Sequence, residues 1–280
     1  MINGILIVNK PINYTSRDIV NIVSKKLKTK KIGHTGTLDP IATGVLVLTI
    51  GPATKISELL MSEKKEYIAE TKLGIETDTL DITGNIVKKL DFNINKEEID
   101  KVLKSFVGSY NQEVPLYSAV KINGKKLYEY ARNNEKIELP KRNVTIYNIE
   151  LLEVNDTGFK FKCLVSKGTY IRSLIKDICL KLNTIGVMQN LIRTKQGNFN
   201  IEDSYTIEDI SNSKYKIIAL EEIFKDIYTI NVDDELRFKV KNGQIVDNIY
   251  NKDLVVFKDK SIIAIYKNEN NKLKPYKMFL

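Results

Sequence analysis

Two rhythms of hydrophobic and polar positions run along the chain, and the changes between them mark its elements. Gly4–Val8 and Val45–Ile50 (VLVLTI) are short, continuous apolar runs that read as buried strands. Lys65–Leu73 (KEYIAETKL) alternates with a period of two, the mark of a strand. Val144–Val154 and Phe159–Val165 read as a strand pair joined through Asn155–Gly158. Helical spacing links Ile19, Val20, Val23 and Leu27 in a helix starting near Thr15, and Thr15 and Asp18 are spaced as a capping pair. Asn95–Phe106 is the cleanest helix, with Asn95 as N-cap, Glu98 at N3, a stripe of Ile99, Val102, Leu103 and Phe106, and Gly108 as the stop. Gly168 ends a strand, and Ile171, Leu174, Ile175, Ile178 and Leu182 make a third stripe. Ser211–Lys216 reads as a surface connection and Ile218–Ile227 as a short helix. From about Ile230 the pattern turns to strands and turns, LRFKVKNGQIV and then DLVVFKDKSIIAIY. Spacing alone supports an α+β fold, with a large unit followed by a small β unit and no internal repeat.

Composition narrows the field only a little. A chain of 280 residues with 42% hydrophobic content buries a sizeable core. The net charge of +9 suits a polyanionic partner, but the abundance of Lys, Asn and Ile also fits an AT-rich genome, so charge alone leaves nucleic acid open. Cys163 and Cys179 have no CxxC spacing and there is one histidine, so no zinc site is recognisable. Both cysteines read as small core residues in a reducing compartment. MINGILIVNKP lacks the pattern of a signal peptide, and no run is long enough to span a membrane. The expected location is cytoplasmic.

Candidate chemistry concentrates in Gly33–Gly44, GHTGTLDPIATG, which holds three glycines, three threonines, a proline, the only histidine and Asp39. A turn-rich loop braced by VLVLTI is a good mount for a reactive carboxylate; a plain Asp-Pro turn, with the carboxylate accepting local N–H groups, is the other reading. The order is not that of a phosphate-binding Walker loop. Arg172 falls at the start of the third helix, where the helix dipole disfavours a cation, and this conflict points to a carboxylate partner; an ordinary surface arginine is the alternative. Lys25, Lys26, Lys28, Lys30 and Lys31 form either a solvated face or a phosphate-contacting one. Tyrosines and basic residues interleave over Gln112–Arg132, as suits RNA contact and equally a surface hairpin and helix. Tyr67, Leu191 and His34, taken singly, read as a strand aromatic, a core leucine and a structural hydrogen-bonder.

As strings, these segments resemble the tRNA pseudouridine-55 synthase (TruB) family over nearly the whole chain. GHTGTLDPIATG resembles the family's catalytic loop, which implies that Asp39 is the catalytic carboxylate and that His34 contacts substrate, filling the gap left by a flipped base. LIVNKPINYTSRDIV resembles the first motif, in which the lysine and proline support that loop; Lys10 is also grouped with the substrate-binding residues. KEYIAETKLGIETDTLDITG implies that Tyr67 packs on the base and moves a proton late in the reaction. KGTYIRSLIKDI implies that Arg172 pairs with Asp39 and that Tyr170 lies beside the base. GVMQNLIRTKQGNF implies that Leu191 presses on the ring. QEVPLYSAVKINGKKLYEYAR resembles the lead into a mobile thumb-like insertion, about 110–142, with Val114 and Pro115 where the family usually has two prolines. The NGQ turn and Lys-Pro ending are similar to a C-terminal PUA-like RNA-binding domain.

The resemblance implies a pseudouridine synthase fold with a mixed, mainly antiparallel central sheet and flanking helices over residues 1–228, and a small PUA-like β-barrel over 229–280. It implies that uridine 55 in the T-loop of tRNA is flipped out and isomerised to pseudouridine. That chemistry has no redox change and loses no group, so it requires no cofactor and no metal. A monomer acting on the T-stem-loop is expected. Asp39 has three routes: attack on C1′, attack on C6, or removal of a C2′ proton to give a glycal. The competing reading is a non-catalytic RNA-binding or tRNA-folding factor on the same fold. A third is the related synthase of guide-RNA complexes, against which the insertion and the lack of a long basic tail both stand.

Overall fold

The computed structural model describes residues 2–93 and 95–279. Its main body is built on a nine-stranded sheet. The strands are β1 (Gly4–Lys10), β2 (Ile32–His34), β3 (Thr43–Ile50), β4 (Lys65–Leu73), β5 (Gly108–Glu113), β6 (Lys141–Asn155), β7 (Gly158–Val165), β8 (Gly186–Gln196) and β9 (Phe199–Asn200). Their order is β1-β3-β8-β4-β7-β6-β5, with β2 beside β3 and β9 beside β8. The β3–β8 contact is parallel, and the other pairings in this sheet are antiparallel. This is the mixed, mainly antiparallel sheet expected.

Three amphipathic helices cover one face: α1 (Ser16–Leu27), α2 (Lys96–Lys104) and α3 (Ile171–Lys181). Thr15 and Asp18 form the anticipated capping box, as do Asn95 and Glu98. The predicted end of α2 is tightened rather than continued, because Phe106 and Val107 donate three residues back, to Leu103 and Lys104. Ile19, Val23, Leu103, Leu174 and Ile178 then share one core with Leu6, Leu48, Phe161 and Met188 from the sheet. The opposite faces of β1 and β3, Ile5, Ile7, Val45 and Val47, pack on Leu220, Phe224, Val256 and Ile265. Both strands are therefore buried on two sides, which is why they read as unbroken apolar runs.

β8 lies at the centre of the sheet, yet its sequence does not alternate. Two register slips, between Met188 and Asn190 and between Arg193 and Lys195, explain this by turning neighbouring residues to the same face. Gly44 allows the parallel approach of β8 to β3: its φ is +96°, and a Cβ there would lie 2.3 Å from the Arg193 carbonyl oxygen.

Between β5 and β6 the chain leaves the sheet edge and forms a small hairpin, Lys121–Ile122 with Lys125–Lys126, and a short helix, Leu127–Arg132. This segment has its own core of Val114, Leu127 and Tyr130. Val114, the departure from the expected Pro-Pro, is fully buried there.

The C-terminal region forms a five-stranded sheet: β10 (Thr229–Asn231), β11 (Val246–Asp247), β12 (Leu254–Lys258), β13 (Ile262–Glu269) and β14 (Lys272–Met278), in the order β10-β12-β13-β14-β11. The strand reading of LRFKVKNGQIV is corrected: Asp234–Lys241 is a helix, α4. The Asp233 carboxylate accepts from the Leu236 N–H and starts it. Gly243, at φ +66°, ends it, with the Gly243 and Gln244 N–H groups reaching back to Val240 and Lys239. The NGQ turn is thus a helix stop.

Candidate active site

The loop that carries Asp39 joins β2 to β3, and side chains from three other elements hold its backbone. Ser16 Oγ, in the first turn of α1, accepts from the Leu38 N–H at 2.9 Å. From β8, Gln196 donates to Thr35 and Arg193 donates from Nη2 to the Gly36 carbonyl at 3.0 Å and from Nε to Val45 at 2.6 Å. At the end of β1, fully buried Lys10 donates from Nζ to the carbonyls of Pro11, Tyr14 and Pro40, at 2.9, 2.7 and 3.3 Å. Lys10, grouped in sequence with the substrate-binding residues, lies beneath the loop and outside the cleft lining, where its ammonium meets carbonyls and supports the loop. Burial pulls its pKa down to about 8, and the Asp39 charge opposes that shift.

Arg172 enters from the first turn of α3. Its Nε lies 2.9 Å from Asp39 Oδ2 and its Nη2 donates to Oδ1 at 3.0 Å, a two-pronged pair that fixes the plane of the carboxylate. The same guanidinium donates to the carbonyls of Thr79 at 2.9 Å and Tyr117 at 3.0 Å. Thr79 belongs to the 78–85 loop and Tyr117 to the 114–140 segment, so one side chain ties together three segments around Asp39. Arg172 is 5% exposed and Asp39 33%, which leaves the carboxylate facing outward from a buried cation. Tyr170, just ahead of the helix, is held through its backbone by the buried Gln112 side chain, which accepts from the Tyr170 N–H at 2.7 Å and donates to its carbonyl at 3.1 Å.

Asp39 opens onto a cleft of about 750 Å³, a size that accepts a nucleotide. Tyr67, Leu191, Tyr170 and Arg172 all line it. Tyr67 and Leu191 come from neighbouring strands; Tyr67 pairs with Arg193 and Ala69 with Leu191, so the three side chains share one face of the sheet. Tyr117, Ser118 and Tyr128 close the cleft from the 114–140 side, and exposed Arg142 and Lys167 make its rim basic. His34 is outside this lining. It is half-buried at the end of β2, its Nδ1 has no partner, and burial together with the charges of Arg193 and Arg17 lowers its pKa.

Sequence reading missed Gln112, Lys65 and Arg193. Lys65 donates to the carbonyls of Met61 and Glu63 on the cleft wall, and burial lowers its pKa to about 8, with Arg193 adding to the shift. Their signal was faint: a polar or charged residue at an inward position of a strand, visible only once the register is known. Among the described residues no group of three His, Cys, Asp or Glu side chains is arranged to hold a metal, and no helix is long and apolar enough to cross a membrane.

Known proteins resemble this chain along its length. The family model for the N-terminal domain of TruB family pseudouridylate synthases matches residues 24–171. The protein of Caldanaerobacter subterraneus subsp. tengcongensis named tRNA pseudouridine synthase B is 40% identical over 292 residues, covering 99% of each chain. That of Clostridium tetani, with the same name, is 43% identical and covers 94% of each. Among solved structures, a crystal structure of a Cbf5-Nop10-Gar1 complex superposes with a TM-score of 0.72 at 25% identity, over 99% of this chain and 85% of that one. The family match spans the β2–β3 loop and β4 and ends at Ile171, one residue before Arg172, and the likeness of the relatives extends across the rest. The chain belongs to the TruB family of pseudouridylate synthases.

Proposed function

We propose that this pseudouridine synthase acts on tRNA and isomerises uridine 55 of the T-loop, with Asp39 as the catalytic carboxylate. One observation carries the catalytic assignment: the carboxylate held at both oxygens by Arg172, open to a nucleotide-sized cleft lined by Tyr67 and Leu191. The names of the full-length relatives support tRNA as the substrate.

The uracil of a folded T-loop is stacked, so the nucleotide leaves the stack and enters the cleft. Tyr67 and Leu191 present one aromatic and one aliphatic surface to its ring, and Tyr170 adds an edge. Arg172 uses one lone-pair direction on each Asp39 oxygen and leaves the others for the substrate. The C1′–N1 bond breaks with its electron pair moving onto the uracil. Asp39 either forms a bond to C1′ or C6, or takes a C2′ proton. The ring turns and C5 bonds to C1′; Asp39 is released from C1′ or C6, or returns its proton to C2′, and Tyr67 assists removal of the C5 proton while N1 gains one. Atoms balance without an added reactant.

His34, beside the cleft rather than in it, fits the part of a side chain that enters the vacated stack. Phosphates meet Arg142 and Lys167 at the rim, which makes binding steeply salt-dependent. The C-terminal sheet with α4 serves as a PUA-like RNA-binding unit from residue 229, and its packing on β1 and β3 through Val256 and Ile265 holds it in fixed register with the catalytic unit over 1–228. The test is a T-stem-loop RNA tritiated at C5 of uridine 55: the protein should release tritium and Asp39→Asn should not. Failure of the wild-type protein to release it overturns the assignment.

A further inference from the structure

Arg193 is among the largest fully buried side chains of the protein, at 1% exposure, and yet it lines the cleft. Two of its five N–H groups are spent on the carbonyls of Val45 and Gly36; Nη1 has no acceptor among the described residues. The carboxylate at the cleft, Asp39, is taken by Arg172, and Arg193 forms no ion pair among the described residues. A buried guanidinium balanced only by carbonyl dipoles is an electrostatic expense that a fold meant only for stability avoids. Its field reaches its neighbours: it helps depress the pKa of Lys10, His34 and Lys65.

Its depth discriminates between two anions that a nucleotide could offer. The rim cations Arg142 and Lys167 are exposed and suit phosphates, whereas Arg193 is on the sheet face directly opposite Tyr67 and two residues from Leu191, the side chains assigned to the ring. The ring is also where charge develops. If Asp39 attacks C1′ or removes the C2′ proton, the C1′–N1 electron pair leaves on N1 and spreads onto O2 and O4. If it attacks C6, the C5–C6 pair moves through C4 onto O4. Each route makes the uracil transiently anionic.

We propose that Arg193 is a catalytic residue that stabilises the negative charge on the uracil ring through its free guanidinium N–H groups. This rests on the pseudouridine synthase reading above. A fixed cation in a water-poor cleft is well suited to such a charge, because it needs no reorganisation when the charge appears. The two backbone bonds to Val45 and Gly36 then have a second purpose: they hold the guanidinium still.

The test compares single-turnover rates on two T-stem-loop RNAs, one with uridine and one with 5-fluorouridine at the target position, following loss of the starting nucleotide. Fluorine withdraws electrons and stabilises the ring anion by itself. Arg193→Gln should slow the uridine RNA by about 10²- to 10³-fold. The loss on the fluorinated RNA should be at least about tenfold smaller, and RNA affinity should stay within about threefold. Arg193→Lys, which keeps the charge but cannot make both backbone bonds, should retain activity within about tenfold of the wild type. The ratio between the two RNAs does not depend on how much of a variant is folded. Equal losses on both RNAs, or a lysine variant as slow as the glutamine one, would make Arg193 a loop brace only and overturn the proposal. A wild-type protein inactive on uridine RNA would instead overturn the function on which it rests.

Discussion

Arg172 meets both oxygens of Asp39 across 133 residues of chain, Nε to Oδ2 at 2.9 Å and Nη2 to Oδ1 at 3.0 Å. The geometry needs two oxygens that both accept. Asp39→Asn turns an amide N–H₂ toward the guanidinium, or toward the substrate, and removes the anionic oxygen proposed to react. Turnover on the T-stem-loop should fall on the order of 10⁴-fold or more, as for other residues that bond to substrate. RNA affinity by filter binding should change little, since the phosphates meet other residues. Tritium release at more than a few per cent of the wild-type rate would remove Asp39 from the mechanism.

The cation's shape matters as much as its charge. Arg172 serves Asp39, Thr79 and Tyr117 at once, and a lysine ammonium cannot span those acceptors. Arg172→Lys should therefore lose on the order of 10²-fold in kcat although its charge is kept. Arg172→Met leaves Asp39 without its partner and two part-buried carbonyls without this donor. Because Asp39 is partly solvated, the stability loss should be about 1–3 kcal/mol, below that for a fully buried pair. Urea unfolding measures it. A lysine variant with wild-type kcat would show that orientation of the carboxylate is unimportant.

Tyr67 is 7% exposed, on β4 beside Leu191. Tyr67→Phe keeps the ring surface and deletes the hydroxyl. If that hydroxyl assists removal of the C5 proton, the variant should still consume uridine yet release tritium at least about tenfold more slowly than it breaks the C1′–N1 bond. Parallel loss of both signals would give Tyr67 a packing role alone.

His34 is half-buried next to the cleft with an unpartnered Nδ1. His34→Ala should raise the RNA concentration needed for half-maximal rate by about tenfold, with single-turnover chemistry at saturating RNA changed by less than about threefold. The reverse split would place it in the chemistry and not in base extrusion.

What the sequence made legible, and what it hid, follows from where the determining contacts lie. Thr15 with Asp18 and Asn95 with Glu98 are local devices, complete within four residues, and both form as read. Lys65–Leu73 alternates because β4 is regular, and its bounds match the reading residue for residue. β8 escaped because its two bulges break the alternation, and they belong to its pairing with β4 rather than to its own composition. LRFKVK alternates like a strand but folds as α4, since Asp233 and Gly243 at its ends outweigh the pattern between them. The helix-dipole conflict pointed only to some carboxylate partner for Arg172; that the partner is Asp39 was anticipated from family likeness. Nothing near Gln112 or Arg193 in the chain announces that they are buried against the loop and the cleft.

Lys10 offers a test that separates bracing from binding. Its Nζ meets Pro11, Tyr14 and Pro40, so Lys10→Met should lower kcat by loosening the Asp39 loop and leave RNA affinity within about twofold. Its pH dependence has a definite sign. Burial brings the folded-state pKa down to about 8, against a usual lysine value near 10.5. Below pH 8 both states carry the proton, and the fold bears the full cost of a buried ammonium. Between pH 8 and 10.5 the folded protein gives up the proton while the unfolded chain keeps it; the unfolded state then binds more protons, and stability rises with pH. Above that range the gain is complete. Lys65 titrates near 8 as well, but it is present in both proteins, so to first order its contribution cancels in the comparison. The unfolding free energy of the wild type minus that of Lys10→Met, taken from urea titrations at pH 7, 8, 9 and 10, should climb through this window. A flat or falling difference would mean that the Lys10 ammonium is solvated, and its part in pinning Pro40 would have to be given up.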